Sequence, residues 1–162
     1  PTAHYFLDSV TGVFTISGKW DTENYARVND PYGGTPVPWN LYTDYIKTVV
    51  IEDGITSIGE DLLYGCEKLT SVSIPDSVTK IGDSAFEGCI SLESIEIPDS
   101  VTTIGGSAFQ NCKTLKNIEM SKNVKIYEDT VLLKFPRCCP KCGRETTINI
   151  IQLRMTIELG NS

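Results

Sequence analysis

The sequence predicts a β-rich α/β fold: a short solenoid of stacked 23-residue coils with an N-terminal β cap and a C-terminal β segment. Three observations predict it. Residues 69–89 and 92–112 are near-copies of each other at a constant offset of 23. Within the first copy, Val72-Ser-Ile74 alternates apolar and polar side chains as a half-buried strand does, and Pro75 stops it because proline has no N–H for a ladder. Cys66, Cys89 and Cys112 fall one per copy. A fixed period of this length marks units that bury their apolar side only by stacking on one another.

A degenerate earlier copy starts at Ile46 and a truncated later one at Leu115. Equivalent apolar positions line up as Ile46/Leu69/Leu92/Leu115, Val49/Val72/Ile95/Ile118 and Ile51/Ile74/Ile97/Met120. A second extended piece follows at Ser77–Ile81. Gly82 is then expected to turn the chain, and Ser84-Ala-Phe-Glu87 to form one helical turn that Gly88 ends. The cysteines should stack as buried thiols, although their spacing would permit a disulfide.

Alternation along the first strand sends Ser71, Ser73, Ser94, Glu96, Asn117 and Glu119 outward, and these six are the candidate binding residues. The same pattern turns Thr56, Thr79 and Thr102 outward on the second strand. The plainer reading of both rows is a solvated face, since stacked threonines suit β geometry on their own.

Residues 46–120 resemble the BspA-like leucine-rich repeats, with their pattern I-P-x-S-V-T-x-I-G-x-x-A-F-x-x-C-x-x-L. Two adjacent copies carry nearly every signature residue. The first copy departs, with Asp53-Gly54 in place of the proline turn and Leu62-Leu63 in place of Ala-Phe, as an end coil does. The resemblance implies a short leucine-rich-repeat solenoid acting as a non-catalytic recognition or adhesion module of a bacterial surface or secreted protein. Its partner would be a protein or a cell-surface ligand.

Three regions follow: a cap at 1–45, the solenoid at 46–123 and a tail at 124–162. The cap carries nine of the fourteen aromatic residues, as covering an exposed solenoid end requires. The alternative is a glycan platform built from Trp20, Tyr32, Trp39 or Tyr42. Residues 124–158 resemble the second half of the cysteine-rich KTR domain, whose earlier cysteine pair is missing here. Cys139-Pro-Lys-Cys142 is one zinc knuckle where a structural site wants four ligands. No cofactor is therefore expected, and zinc on Cys139 and Cys142, alone or shared between two chains, is the alternative. Ile151–Leu159 alternates over nine residues and reads as a strand whose open edge would serve a homodimer.

Charge and composition exclude other classes. Net charge is −7, and it divides into −10 over residues 1–120 (seven Lys/Arg, seventeen Asp/Glu) and +3 over 121–162 (seven Lys/Arg, four Asp/Glu). An acidic body repels phosphate backbones, so no nucleic acid is expected, and a nucleic-acid-linked role would have to reside in the tail. The single histidine, His4, lies at a terminus and leaves no anchored base for nucleophilic catalysis, and no Gly-rich phosphate loop is present. No apolar run reaches the roughly 18 residues of a membrane span. The chain opens Pro1-Thr2-Ala3-His4 without an initiator methionine, as a processed chain does, so the lack of a visible signal peptide does not argue for the cytoplasm.

Overall fold

The computed structural model describes residues 3–19, 21–22, 25, 36–120 and 125–126. Strands β1 (His4–Asp8) and β2 (Val13–Ser17) form an antiparallel hairpin. Its turn is tied by the Asp8 carboxylate, which accepts from the N–H groups of Val10 at 2.9 Å and Thr11 at 3.3 Å. The Thr11 hydroxyl and these two N–H groups hold the Asp8 carboxyl below its usual range.

β2 then runs parallel to β3 (Thr48–Ile51), with Phe14 beside Val49 and Ile16 beside Ile51. The cap thus supplies the first rung of the solenoid stack rather than a lid laid across it. β3 pairs in parallel with β5 (Ser71–Ser73), and β7 (Ser94–Ile97) with β9 (Asn117–Met120). The second face stacks β4 (Ser57–Ile58), β6 (Lys80–Ile81), β8 (Thr103–Ile104) and β10 (Lys125–Ile126), all parallel. The step is 23 residues up to β8; Ile126 pairs with Ile104, so the last is 22.

Between the two strand faces lies one continuous core. Ile46, Leu69, Leu92 and Leu115 occupy one buried column, and Ile58, Ile81 and Ile104 another. Phe86 and Phe109 fill a third behind Leu63. At the amino-terminal end Trp39 packs on Tyr5, Phe14 and Tyr25, with ring centroids 4.5, 4.8 and 5.4 Å away. Thr22 completes the end of the second stack: its N–H and hydroxyl both donate to the Ser57 carbonyl, and its oxygen accepts from the Gly59 N–H at 2.6 Å.

The expected helical turn at 84–87 does not form. The only helix among the described residues is a 3-10 segment, Asn40–Tyr45, in the cap. Asp61, Ser84 and Ser107, one per coil, have φ of 52, 51 and 56°. A left-handed residue at that position breaks the helical progression, and single turns follow, Glu87 N–H to Ser84 carbonyl and Cys89 N–H to Phe86 carbonyl. Gly82 stands directly before the turn that starts at Asp83, and it has a second role. A Cβ there would lie 2.7 Å from the Glu60 nitrogen and 2.8 Å from the Gly59 carbonyl carbon, so glycine lets two coils approach.

Candidate binding face

The parallel registers bring the predicted outward residues into rows. Thr48 stands beside Ser71 and Val50 beside Ser73, while Ser94 stands beside Asn117 and Glu96 beside Glu119. Ser71, Ser73, Ser94, Glu96, Asn117 and Glu119 are all exposed. Two like charges directly opposite each other repel, and the Glu96–Glu119 pair therefore holds an acidic strip facing solvent.

The row is interrupted. Among the described residues β5 and β7 share no ladder, although they are consecutive in the stack. The face consists of one half ending at Ser71 and Ser73 and another beginning at Ser94 and Glu96, with a cleft of about 510 Å³ between them. Nothing in the sequence signals this break, because Ser71-Val-Ser-Ile-Pro-Asp76 and Ser94-Ile-Glu-Ile-Pro-Asp99 differ at only two positions.

On the second face the threonine row serves the stack. The hydroxyl of Thr79 donates to the Thr56 carbonyl at 3.1 Å, and that of Thr102 to the Thr79 carbonyl at 3.2 Å, beside the N–H bonds of the same residues to the same carbonyls. These hydroxyls tie each coil to the one before it.

Cys66, Cys89 and Cys112 are buried free thiols in one column. The Cys89 thiol donates to the Leu63 carbonyl at 3.3 Å and the Cys112 thiol to the Phe86 carbonyl at 3.1 Å. Burial pushes Cys66 and Cys112 up to about 12. Burial, then the neighbouring Cys66 and Cys112, pushes Cys89 well above its ordinary value. Such thiols are protonated at neutral pH and are poor nucleophiles. Among the described residues no group of three or more His, Cys, Asp or Glu side chains is placed to hold a metal.

Trp39 is buried in the aromatic core, so it cannot serve as part of a glycan platform with the exposed Tyr42. Tyr42 instead lies beside Tyr45, ring centroids 6.4 Å apart. Trp20, Tyr32, the expected Cys139/Cys142 knuckle and the expected strand at Ile151–Leu159 lie outside the described residues.

Short parallel strands stacked at a 23-residue step over columns of leucine, isoleucine and cysteine define a leucine-rich-repeat solenoid. The chain belongs to the BspA type leucine rich repeat region family, whose model matches residues 41–138. Residues 118–159 match the cysteine-rich KTR family model. Among solved structures the chain is similar to a leucine-rich repeat protein from Eubacterium ventriosum, at 29% identity and a TM-score of 0.58 over 77% of this chain and 37% of that one. It is also similar to the T. pallidum leucine rich repeat protein TpLRR, at 23% identity and a TM-score of 0.52 over 76% of this chain and 60% of that one. A leucine rich cell surface protein from Faecalibacterium prausnitzii matches at 23% identity and a TM-score of 0.40, over 78% of this chain and 45% of that one. The chain thus spans between about a third and two thirds of the length of these relatives. No curated protein matches it. Among the described residues no helix is long and apolar enough to cross a membrane.

Proposed function

We propose that the chain is a non-catalytic recognition module of a bacterial surface or secreted protein, and that it presents the first strand face to a protein or cell-surface partner. The observation that carries this reading is the common exposure of Ser71, Ser73, Ser94, Glu96, Asn117 and Glu119 on the two halves of the first strand face, each half held in register by its own parallel ladder. Small hydroxyl side chains leave the backbone accessible, and the two glutamates give the face one sign of charge. That sign selects against acidic partners and steers basic ones. Family membership supports the recognition role.

The test uses fixed epithelial cells and immobilised extracellular-matrix proteins as probes. Wild-type chain should bind at least one of them, and Glu96→Lys combined with Glu119→Lys should weaken that binding about ten-fold or more. Unchanged binding by the doubly substituted chain would remove the strand face as the binding site.

A further inference from the structure

On the first strand face the outer steps of the stack are closed and the middle one is open. From the first coil to the second, β3 and β5 share three paired residues, and the Thr70 N–H donates to the Lys47 carbonyl at 2.9 Å. Ser77 adds a bridge there: its hydroxyl accepts from the Gly54 N–H at 3.1 Å and donates to the Ile55 carbonyl at 2.8 Å. From the third coil to the fourth, β7 and β9 share four pairs, and the Lys116 N–H donates to the Glu93 carbonyl at 2.9 Å.

Between the second and third coils these bonds are missing. β5 and β7 have no ladder. Ser100 stands one repeat after Ser77, yet its buried hydroxyl oxygen has no partner. The same coils remain joined elsewhere, by Thr102 N–H to Thr79 carbonyl, Gly105 N–H to Ile81 carbonyl and Phe86 N–H to Ala108 carbonyl, each 2.9 Å. The opening is therefore confined to the first strand face. It leaves Val72 and Ile74 half-buried, whereas Val49, Ile95 and Ile118 in the same column as Val72 are buried.

We propose that this cleft receives an arginine side chain from an extended segment of a protein partner. The inference rests on the recognition reading above and names the chemistry of the partner. Asp76, Glu96 and Asp99 border the cleft, and no lysine or arginine lines it. Val72, Ile74, Ile97 and Pro98 form its apolar walls. An arginine satisfies both features at once: its aliphatic stem covers apolar surface while its planar guanidinium donates in pairs to carboxylates. The facing edges of β5 and β7 also offer carbonyl oxygens outside any ladder, and a guanidinium, with five N–H donors and no acceptor, matches them. The three carboxylates disfavour carboxylate or phosphate ligands here.

The experiment titrates the whole, isotope-labelled chain with the blocked peptide acetyl-Gly-Arg-Gly-Arg-Gly-amide and follows backbone amide shifts. The counterpart with citrulline for arginine keeps the shape and removes the charge. Saturable shifts should gather at residues 71–76 and 93–100 with the arginine peptide and be absent with citrulline. Asp76→Asn combined with Asp99→Asn, both exposed positions, should raise Kd at least about ten-fold. Asp44→Asn combined with Glu67→Gln removes the same charge from exposed positions that do not line the cleft and should change Kd less than about two-fold. Shifts spread over the whole acidic surface, equal weakening by both pairs, or no saturable shift would each overturn the arginine site. Absence of peptide binding beside a loss of cell or matrix binding in the Glu96→Lys, Glu119→Lys chain removes the arginine site alone. If that chain also binds cells and matrix unchanged, the strand-face reading fails with it.

Discussion

Phe86 and Phe109, one repeat apart, lie ring on ring with centroids 5.3 Å apart and planes within 6° of parallel. Each is fully buried, and each fills the space that its neighbour's coil cannot fill alone. Replacing either with alanine removes a large buried side chain and leaves a cavity. We expect Phe86→Ala to cost about 3–5 kcal/mol in urea unfolding, a large share of the roughly 5–15 kcal/mol of a typical domain. The double substitution should cost less than the sum of the two singles, because the second removes a contact already lost.

Glycine is required at Gly82 and Gly65 for different reasons, and alanine substitutions separate them. At Gly82 a Cβ would press into the Gly59–Glu60 backbone, so Gly82→Ala should destabilise by about 1–3 kcal/mol through steric overlap. At Gly65 a Cβ would meet nothing within 4 Å, but φ is +70°. Gly65→Ala should therefore cost only about 1–2 kcal/mol, the left-handed backbone term alone. Gly65→Asn should recover part of that loss, since Asn111 occupies the same repeat position at φ 61°. Denaturant midpoints of the three variants check the order.

Ser77 and Ser100 occupy the same repeat position with opposite consequences. Ser77→Ala removes two bonds between coils and strands the Gly54 N–H, so it should cost about 1–3 kcal/mol. Ser100→Ala removes a hydroxyl whose oxygen has no partner and should be neutral or slightly stabilising. Equal costs at the two sites would show that the middle step is closed in solution.

The cysteine column predicts an alkaline weakness. The folded thiols titrate far above their ordinary value of 9.0, at about 12 for Cys66 and Cys112. The folded chain therefore holds these protons more tightly than the unfolded chain. The associated stability is fully present below pH 9 and is lost as pH rises from 9 towards 12, by about 1.4 kcal/mol per pH unit for each thiol. Cys89→Ala should flatten this decline relative to wild type when unfolding is measured at pH 8 and 10.5. At pH 8 a thiol reagent followed by mass mapping should leave Cys66, Cys89 and Cys112 unlabelled until denaturant is added.

Much of this fold can be read from the sequence because stacking repeats the same demand at each coil. Val49, Ile95 and Ile118 had to be buried once their strands alternated, and Cys66, Cys89 and Cys112 had to share a column once their spacing was constant. The outward position of Ser71, Ser73, Ser94, Glu96, Asn117 and Glu119 follows from the same period of two. The turn after Gly82 was less legible. Ser84-Ala-Phe-Glu87 has helical propensity, but the left-handed backbone at Ser84 is set by how one coil seats on the next. Trp39 was ambiguous for a related reason, since an aromatic in a non-repeating cap is equally suited to a core and to a ligand until its neighbours Tyr5, Phe14 and Tyr25 are known.

By itself, then, the sequence determined the repeat, the two strand faces, the buried columns and the acidic sign of the body. Those properties are local or periodic, and alternation and spacing encode them directly. Only the tertiary structure decided which steps of the stack close. Coils two and three carry almost the same residues through their first strand, yet β3 pairs with β5 and β5 does not pair with β7. Whether two adjacent edges meet depends on the accumulated tilt and seating of whole coils, a property of the assembly that no single repeat contains.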